Sequence, residues 1–144
     1  MNNSNPIHYF TNFDHGWITA PGNETVMKDD LHHYLSLPLT PGGDISSIEV
    51  RKKLETVFEQ RPIQIDLCVR LPEGLEVTQF AVTAIGEANG GYGDFTIPPS
   101  DGQWHDTSAS YTPKTSGLNT IWILLKAKAA SGSIDIDNIY IGQR

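Results

Sequence analysis

One stretch near the C-terminus decides the fold: Gly132-Ser133-Ile134-Asp135-Ile136-Asp137-Asn138-Ile139-Tyr140-Ile141-Gly142. Isoleucine alternates with polar residues, which is the period of a half-buried β-strand. The alternation slips in the middle, so the first two isoleucines would face one side of the sheet and the last two the other. One extra residue at Asp137-Asn138, a β-bulge, returns all four isoleucines to the same core. The sequence therefore predicts a bulged terminal strand with the Asp137 carboxylate directed along the rim of the sheet.

The rest of the chain carries similar short patterns between turns. A length of 144 residues predicts one domain, spanning residues 1–144, and a hydrophobic fraction of 38% is enough for a core. The 13 glycines and 9 prolines are spread along the chain and indicate many turns. The patterns predict about nine strands, which lie at 7–13, 31–39, 46–60, 63–71, 76–85, 95–98, 104–111, 120–129 and 133–141. Trp17-Ile18 re-enters the fold after the first turn.

The segment 46–60 has two interpretations. Ser46-Ser47-Ile48-Glu49 matches a capping box, which would start a helix. Apolar residues at even positions from Ile48 to Phe58 instead follow the period of a strand. We favour the strand, because a helix would place two cationic residues beneath Ile48.

Charge and targeting signals limit the classes of function. The net charge of −7 weighs against binding to nucleic acid or to anionic membrane surfaces. No run approaches the roughly 20 apolar residues of a membrane helix, and the first residues show no signal peptide. The chain is expected to be either cytoplasmic or a module of a longer secreted protein, and the secreted module is favoured. The single cysteine, Cys68, excludes an intrachain disulfide and is interpreted as a strand residue rather than a nucleophile.

Four segments, in order along the chain, resemble jelly-roll carbohydrate-binding modules of the galactose-binding-domain-like type. Residues 10–17 resemble their opening motif, 65–70 their central strand, 102–105 their tryptophan strand and 132–141 their closing strand. The resemblance implies an all-β, two-sheet antiparallel sandwich of jelly-roll type. It also implies a lectin-like, non-catalytic module whose partner is a polysaccharide or another glycan.

The resemblance further implies a structural calcium ion that holds the two ends of the chain together. Its side-chain ligands would be Asp14 and Asp137, with carbonyl oxygens from nearby loops completing the oxygen shell that Ca²⁺ requires. The alternative is that Asp137 caps a turn and Asp14 is a solvated turn residue. Asp135 is expected to face solvent.

Aromatic residues are the main candidates for sugar contact, because the apolar face of a pyranose ring stacks on a flat side chain. Ile121 and Ile123 define an inward face, which leaves Trp122 outward; Tyr92 in a glycine-rich loop is a second candidate. If the sheet order follows that of the resembled modules, four polar residues share this face and bind the hydroxyl groups: Gln64, Asp66, Arg70 and Gln79. The alternative is that Trp122 lies under a covering loop. Trp17 and Trp104 are expected in the core.

Other classes of function remain as alternatives. The acidic residues form no recognisable pair of the kind that glycosidases use, and no serine nucleophile motif occurs. The histidines and the one cysteine lack zinc-ligand spacing. We therefore expect no enzymatic activity. A β-sandwich that mediates protein contacts is the first alternative, and a glycoside-active enzyme is the second.

Overall fold

The computed structural model of the chain describes residues 5–10, 17–20, 25–28, 33–39, 45–54, 57–88, 91–128 and 131–143. These residues contain eleven β-strands and no α-helix. The strands are β1 (Asn5–Phe10), β2 (Trp17–Ala20), β3 (Thr25–Lys28), β4 (His33–Pro38), β5 (Ile45–Lys53), β6 (Ile63–Arg70), β7 (Val77–Ala84), β8 (Gly93–Asp94), β9 (Trp104–Tyr111), β10 (Thr120–Lys128) and β11 (Ser133–Gln143). Over the same ranges, no helix has the length and hydrophobicity needed to span a bilayer.

The strands form two antiparallel sheets. The six-stranded sheet has the order β3-β4-β11-β6-β9, with β1 also paired to β11. The five-stranded sheet has the order β2-β5-β10-β7-β8. The inner faces of both sheets contribute to one buried cluster, to which β6 supplies Ile63 and Ile65 and β10 supplies Ile121 and Ile123. The predicted all-β, two-sheet antiparallel sandwich is confirmed.

The segment with two interpretations forms a strand. β5 pairs with β10 along its whole length, from Ile45↔Lys128 to Lys53↔Thr120, and it buries Ile48 and Val50. These cross-strand pairs outweigh the local preference of a capping box for a helix, because a helix would remove the apolar face of β5 from the core. The strand is shorter than predicted, since residues 57–60 lie outside it.

One other strand prediction is wrong, and the sequence patterns also missed a short strand. Residues 95–98 follow β8 without forming a regular strand, although the Phe95 N–H still donates to the Phe80 carbonyl. β3 was not predicted, because Thr25–Lys28 is too short for alternation to be distinguished from chance.

The predicted bulge in the last strand is confirmed. β11 pairs Asp137 with Cys68 and Tyr140 with Asp66, so it advances three residues while β6 advances two. Asn138 supplies the extra residue with φ of 53°, a left-handed conformation. All four isoleucines of β11 are consequently buried, and the Asp137 side chain is only 1% exposed.

The bulge also marks a change of partner strand. On one edge, β11 pairs with β4 through Ile136↔Leu35, and beyond the bulge it pairs with β1 from Ile139↔Phe10. The other edge pairs with β6 throughout. The first strand therefore pairs beside the last, and β1 ends next to the bulge.

We expect Asn138→Val to lower the free energy of unfolding by about 1–2 kcal/mol, because a β-branched residue tolerates positive φ poorly. Asn138→Gly is the matched variant and should leave stability nearly unchanged, since glycine adopts this conformation freely. Urea unfolding of both variants measures the difference. Equal destabilisation by the two substitutions would show that the asparagine side chain, rather than its backbone conformation, matters.

Candidate functional site

The outer face of the five-stranded sheet has an apolar centre. Trp122 lies between Arg51 of β5 and Thr83 of β7 in the register of β10. Two residues along β10, Leu124 pairs with the small, buried Ala81. Trp122 and Leu124 are both half-buried. The prediction that Trp122 projects outward is correct, and Leu124 extends the same apolar surface.

A loop end forms one wall over this surface. Tyr92 is 57% exposed and borders a pocket of about 210 Å³ that is also lined by Trp122, Leu124 and Gln79. A second pocket, of about 460 Å³, shares Gln79 and Tyr92 with the first. We call the two together the Trp122 groove, and its second part is lined by Thr78, Asp94, Ile97 and Lys126.

The Trp122 groove combines flat apolar surfaces with polar groups. The alternative of a covering loop is correct in part, since Gly91 and Tyr92 border the pocket beside the half-buried Trp122 ring. The indole Nε1 is buried and has no hydrogen-bond partner among the described residues. A buried donor without a partner costs free energy, and its burial leaves the face of the indole ring, rather than its N–H, to contact a ligand.

The wall that carries Tyr92 is held by one carboxylate. Glu87 accepts hydrogen bonds from the Tyr111 hydroxyl and from the Lys114 N–H, the latter at 3.0 and 3.1 Å. A Cβ atom added at Gly91 would lie 3.0 Å from the Glu87 side chain, so only glycine fits there without displacement. The Thr83 hydroxyl donates to the Gly91 carbonyl at 2.5 Å. These contacts fix the backbone immediately before Tyr92.

Three of the predicted polar residues lie on the opposite side of the sandwich. Gln64, Asp66 and Arg70 project from β6, which belongs to the six-stranded sheet, whereas Trp122 and Gln79 belong to the five-stranded sheet. The turn after β6, closed by the Leu75 N–H donating to the Pro72 carbonyl at 3.1 Å, carries the chain between sheets. The expectation of one shared face is therefore wrong for these three residues and correct for Gln79.

Arg70 is engaged in a cluster on the outer face of the six-stranded sheet. Its Nε donates to Asp135 Oδ2 at 2.8 Å, and its Nη2 lies 2.7 Å from the same oxygen. The guanidinium carbon lies 5.1 Å from the centre of the Tyr34 ring and 4.8 Å from that of Trp104. The two rings meet edge to face, with centroids 5.3 Å apart. This geometry gives cation–π attraction in addition to the ion pair.

The cluster corrects two further expectations. Asp135 is buried beneath Arg70 rather than exposed to solvent. Trp104 is half-buried on the outer face and is not part of the core. The alternation of β9 contained this signal, because Thr107, Ala109 and Tyr111 are the buried residues and Trp104 falls in the opposite phase.

Gln64 and Asp66 lie further along the same outer face. The Gln64 amide donates to the Asp66 carboxylate at 3.1 Å. Asp66 also lines a shallow pocket of about 330 Å³ with Asp106, Ser108 and Asn138. The pocket lacks an aromatic wall among its lining residues, so it offers hydrogen bonds without a stacking surface.

The predicted metal ligands are only partly described. Asp14 lies outside the described residues. Asp137 is buried at the bulge and is paired with Cys68 of the neighbouring strand β6. Burial, together with the nearby Asp106 and Asp137 carboxylates, raises the pKa of the Cys68 thiol to about 12. The thiol is therefore protonated at neutral pH, which fits the interpretation of Cys68 as a strand residue. Within the described ranges, no group of three acidic, histidine or cysteine side chains is placed to hold a metal ion.

Comparison with solved structures places the chain in a known fold. It superposes on the CBM22-1 xylan-binding domain of Paenibacillus barcinonensis Xyn10C with a TM-score of 0.66 and 15% identity, covering 99% of this chain and 97% of that one. A family 11 carbohydrate-binding module from Clostridium thermocellum, in complex with a β-1,3-1,4-mixed-linked tetrasaccharide, gives a TM-score of 0.62 and 11% identity, with coverages of 98% and 96%. The resemblance to carbohydrate-binding modules is thereby confirmed at the level of the jelly-roll fold.

A larger structure contains the same fold as one part. The CBM22-1–GH10 modules of Clostridium thermocellum endo-1,4-β-D-xylanase 10B, complexed with xylohexaose, match with a TM-score of 0.64 and 15% identity. The match covers 96% of this chain, which spans 28% of that xylanase structure. Comparisons with protein-family models and with curated protein sequences give no match.

We expect Arg70→Ala to lower the free energy of unfolding by about 2 kcal/mol, because it leaves the buried Asp135 carboxylate without its partner. Arg61→Ala is the control, since the Arg61–Glu59 pair is exposed and pairs of that kind contribute little. Chemical denaturation followed by circular dichroism measures both. A loss for Arg70→Ala no larger than for Arg61→Ala would contradict the structural role of the cluster.

Proposed function

We propose that the chain is a non-catalytic carbohydrate-binding module that binds a polysaccharide in the Trp122 groove. The observation that carries the proposal is an open groove in which a half-buried tryptophan and an exposed tyrosine flank an apolar floor. The C–H face of a pyranose ring packs on such rings. Polar groups at the edge of the groove are then available for the hydroxyl groups.

Each polar group has a distinct capacity. The Gln79 amide both donates and accepts, and the Asp94 carboxylate accepts. The hydrogen bond from the Thr83 hydroxyl to the Gly91 carbonyl holds the backbone next to Tyr92 before ligand arrives, which lowers the entropy lost on binding. Gln64, Asp66 and Arg70 lie outside this groove, so we assign the contacts with sugar to Trp122, Tyr92 and Gln79.

The fold comparisons support the proposal, because structures that share this fold include a xylan-binding domain and a module in complex with a mixed-linked tetrasaccharide. The composition of the groove supports a binding role over catalysis. Its described lining contains one carboxylate, Asp94, whereas glycosidases generally use two carboxylates. We further propose that the module acts outside the cell as part of a larger protein, in keeping with the two-module xylanase that contains the fold.

We expect Trp122→Ala to weaken binding to the cognate glycan by about 2 kcal/mol, roughly thirty-fold, because central aromatic residues dominate binding energy. Trp104→Ala, on the opposite face, is the matched control and should leave affinity unchanged in the folded protein. A glycan array identifies the ligand, and isothermal titration calorimetry compares the variants. Absence of binding to any plant, microbial or animal glycan would favour the protein-contact alternative, and release of reducing sugar would favour an enzyme.

We also propose a structural calcium ion at the bulge, with Asp137 and Asp14 as side-chain ligands. The support is positional: Asp137 is buried at the bulge, and β1 ends at Phe10, opposite Ile139, two residues along β11 from Asp137. The bulge interrupts the regular pairing of β11 with β6 between Asp137 and Tyr140, and a bulge leaves backbone groups outside the ladder. Carboxylate and carbonyl oxygens are the ligands that Ca²⁺ prefers.

A metal that binds only the folded state raises stability by about 2.7 kcal/mol at a hundred-fold excess over its Kd. We therefore expect a chelator to lower the melting temperature, and calcium but not magnesium to restore it. Asp137→Asn should remove this response and leave glycan affinity unchanged, because the Trp122 groove lies on the other sheet. Metal analysis by mass spectrometry is the second measurement, and a folded sample without calcium would end the proposal.

A further inference from the structure

Charged side chains are distributed unequally between the two outer faces. The outer face of the six-stranded sheet carries four aspartates, Asp66, Asp106, Asp135 and Asp137, and one cation in β6, Arg70, which already pairs with Asp135. The outer face of the five-stranded sheet carries four cations, Arg51, Lys53, Lys126 and Lys128, and two carboxylates on its strands, Glu49 and Asp94. A protein with a net charge of −7 thus places cations on the face that contains the Trp122 groove.

Two lysines of β10 project from this face but have different surroundings. Lys128 forms an ion pair with Glu76 at 2.8 Å, which raises its pKa through a hydrogen bond to that carboxylate. Lys126 lies between Ser47 and Gln79, lines the groove with Tyr92, and forms no ion pair with any described residue. Its ammonium group is therefore available to a ligand in the groove.

The acidic residues near Lys126 do not neutralise it directly. Asp94 is on β8, which is separated from β10 by β7, so the two side chains belong to opposite walls of the groove. Glu49 pairs with Leu124 and is a diagonal neighbour of Lys126, but Arg51 projects from the same side of β5 two residues away. On the strands of this face, the four cations therefore outnumber the two carboxylates, Glu49 and Asp94, and Lys126 is the cation that lines the groove.

From this arrangement we infer that the groove selects acidic glycans, namely polysaccharides whose sugar units carry uronic acid carboxylates, with Lys126 as the residue that pairs with the carboxylate. The inference rests on the proposed carbohydrate-binding function. Arg51, beside Trp122, lies four residues away from Lys126 in the register of β10, about 13 Å at the rise of a strand. Arg51 is not among the residues that line the groove, so Lys126 is the cation that meets the carboxylate there.

The overall negative charge does not prevent this recognition. Charges are screened beyond a Debye length of about 8 Å at physiological ionic strength, so the ligand responds mainly to the groups that line the groove. The aspartates of the six-stranded sheet lie on the far side of the sandwich. They would disfavour adsorption of an acidic polysaccharide on that face, so the polysaccharide would approach the face that contains the groove.

The test compares acidic polysaccharides with their own carboxyl-reduced forms, so that the backbone is unchanged and only the charge differs. Polygalacturonate, alginate and glucuronoxylan are suitable probes, with affinities measured by titration calorimetry in dilute and in concentrated sodium chloride. We expect the acidic form of the cognate glycan to bind about ten-fold more tightly than its reduced form. Concentrated salt should reduce that ratio toward one.

Matched variants assign the preference to a residue. Lys126→Gln should remove most of the ten-fold ratio, whereas Lys128→Gln, two residues along the same strand, should preserve it. Equal binding of acidic and reduced forms by the wild type would overturn the inference, as would equal effects of the two lysine variants. If reduced forms bind in a Trp122-dependent way without any preference for charge, the proposed function stands and only this inference fails. If neither form of any probe binds, and the glycan array also shows no binding, the proposed function itself fails.

Discussion

The bulge in β11 is the constraint on which the rest of the sandwich depends. The strand pairs with β6 on one edge and, in succession, with β4 and β1 on the other. Without the extra residue at Asn138, two of its four isoleucines would face solvent, and burial of such side chains is worth about 1.5–3 kcal/mol each. The same residue lets β11 change partner between β4 and β1, which brings the two ends of the chain into one sheet.

The two outer faces have consequently different properties. On the six-stranded sheet, polar side chains are occupied with one another: Arg70 with Asp135 and two aromatic rings, and Gln64 with Asp66. Such groups hold that face together and have little capacity left for a ligand. The five-stranded sheet instead presents apolar floor residues. A ligand therefore gains more free energy on the second face, where apolar area can be buried.

The Trp122 groove also depends on a contact that lies outside it. Glu87 connects the segment before Tyr92 to Tyr111, whose ring is buried in the core, and to the backbone of Lys114. The Tyr92 wall is in this way attached to the packed interior of the sandwich, although the Tyr92 side chain itself is exposed. Binding surfaces that are ordered in advance lose less conformational entropy when they meet their ligand.

The sequence by itself determined the features that depend on the alternation of side chains along each strand. Period-two alternation indicated the strand class, the inward faces of β6 and β10, the outward position of Trp122 and the bulge at Asp137-Asn138, because each follows from which side of its own strand a residue occupies. Alternation also indicates that Trp104 faces outward, although the resemblance to known modules favoured a position in the core. Only the tertiary structure decided which sheet each strand joins. Strand pairing is a long-range choice that local periodicity does not encode, so Gln64, Asp66 and Arg70 share the phase of a binding face with Gln79 yet lie on the other side of the protein. The burial of Asp135 and the isolation of Lys126 from any ion pair in the described structure depend on neighbours from distant strands, and for that reason no single stretch of sequence contained them.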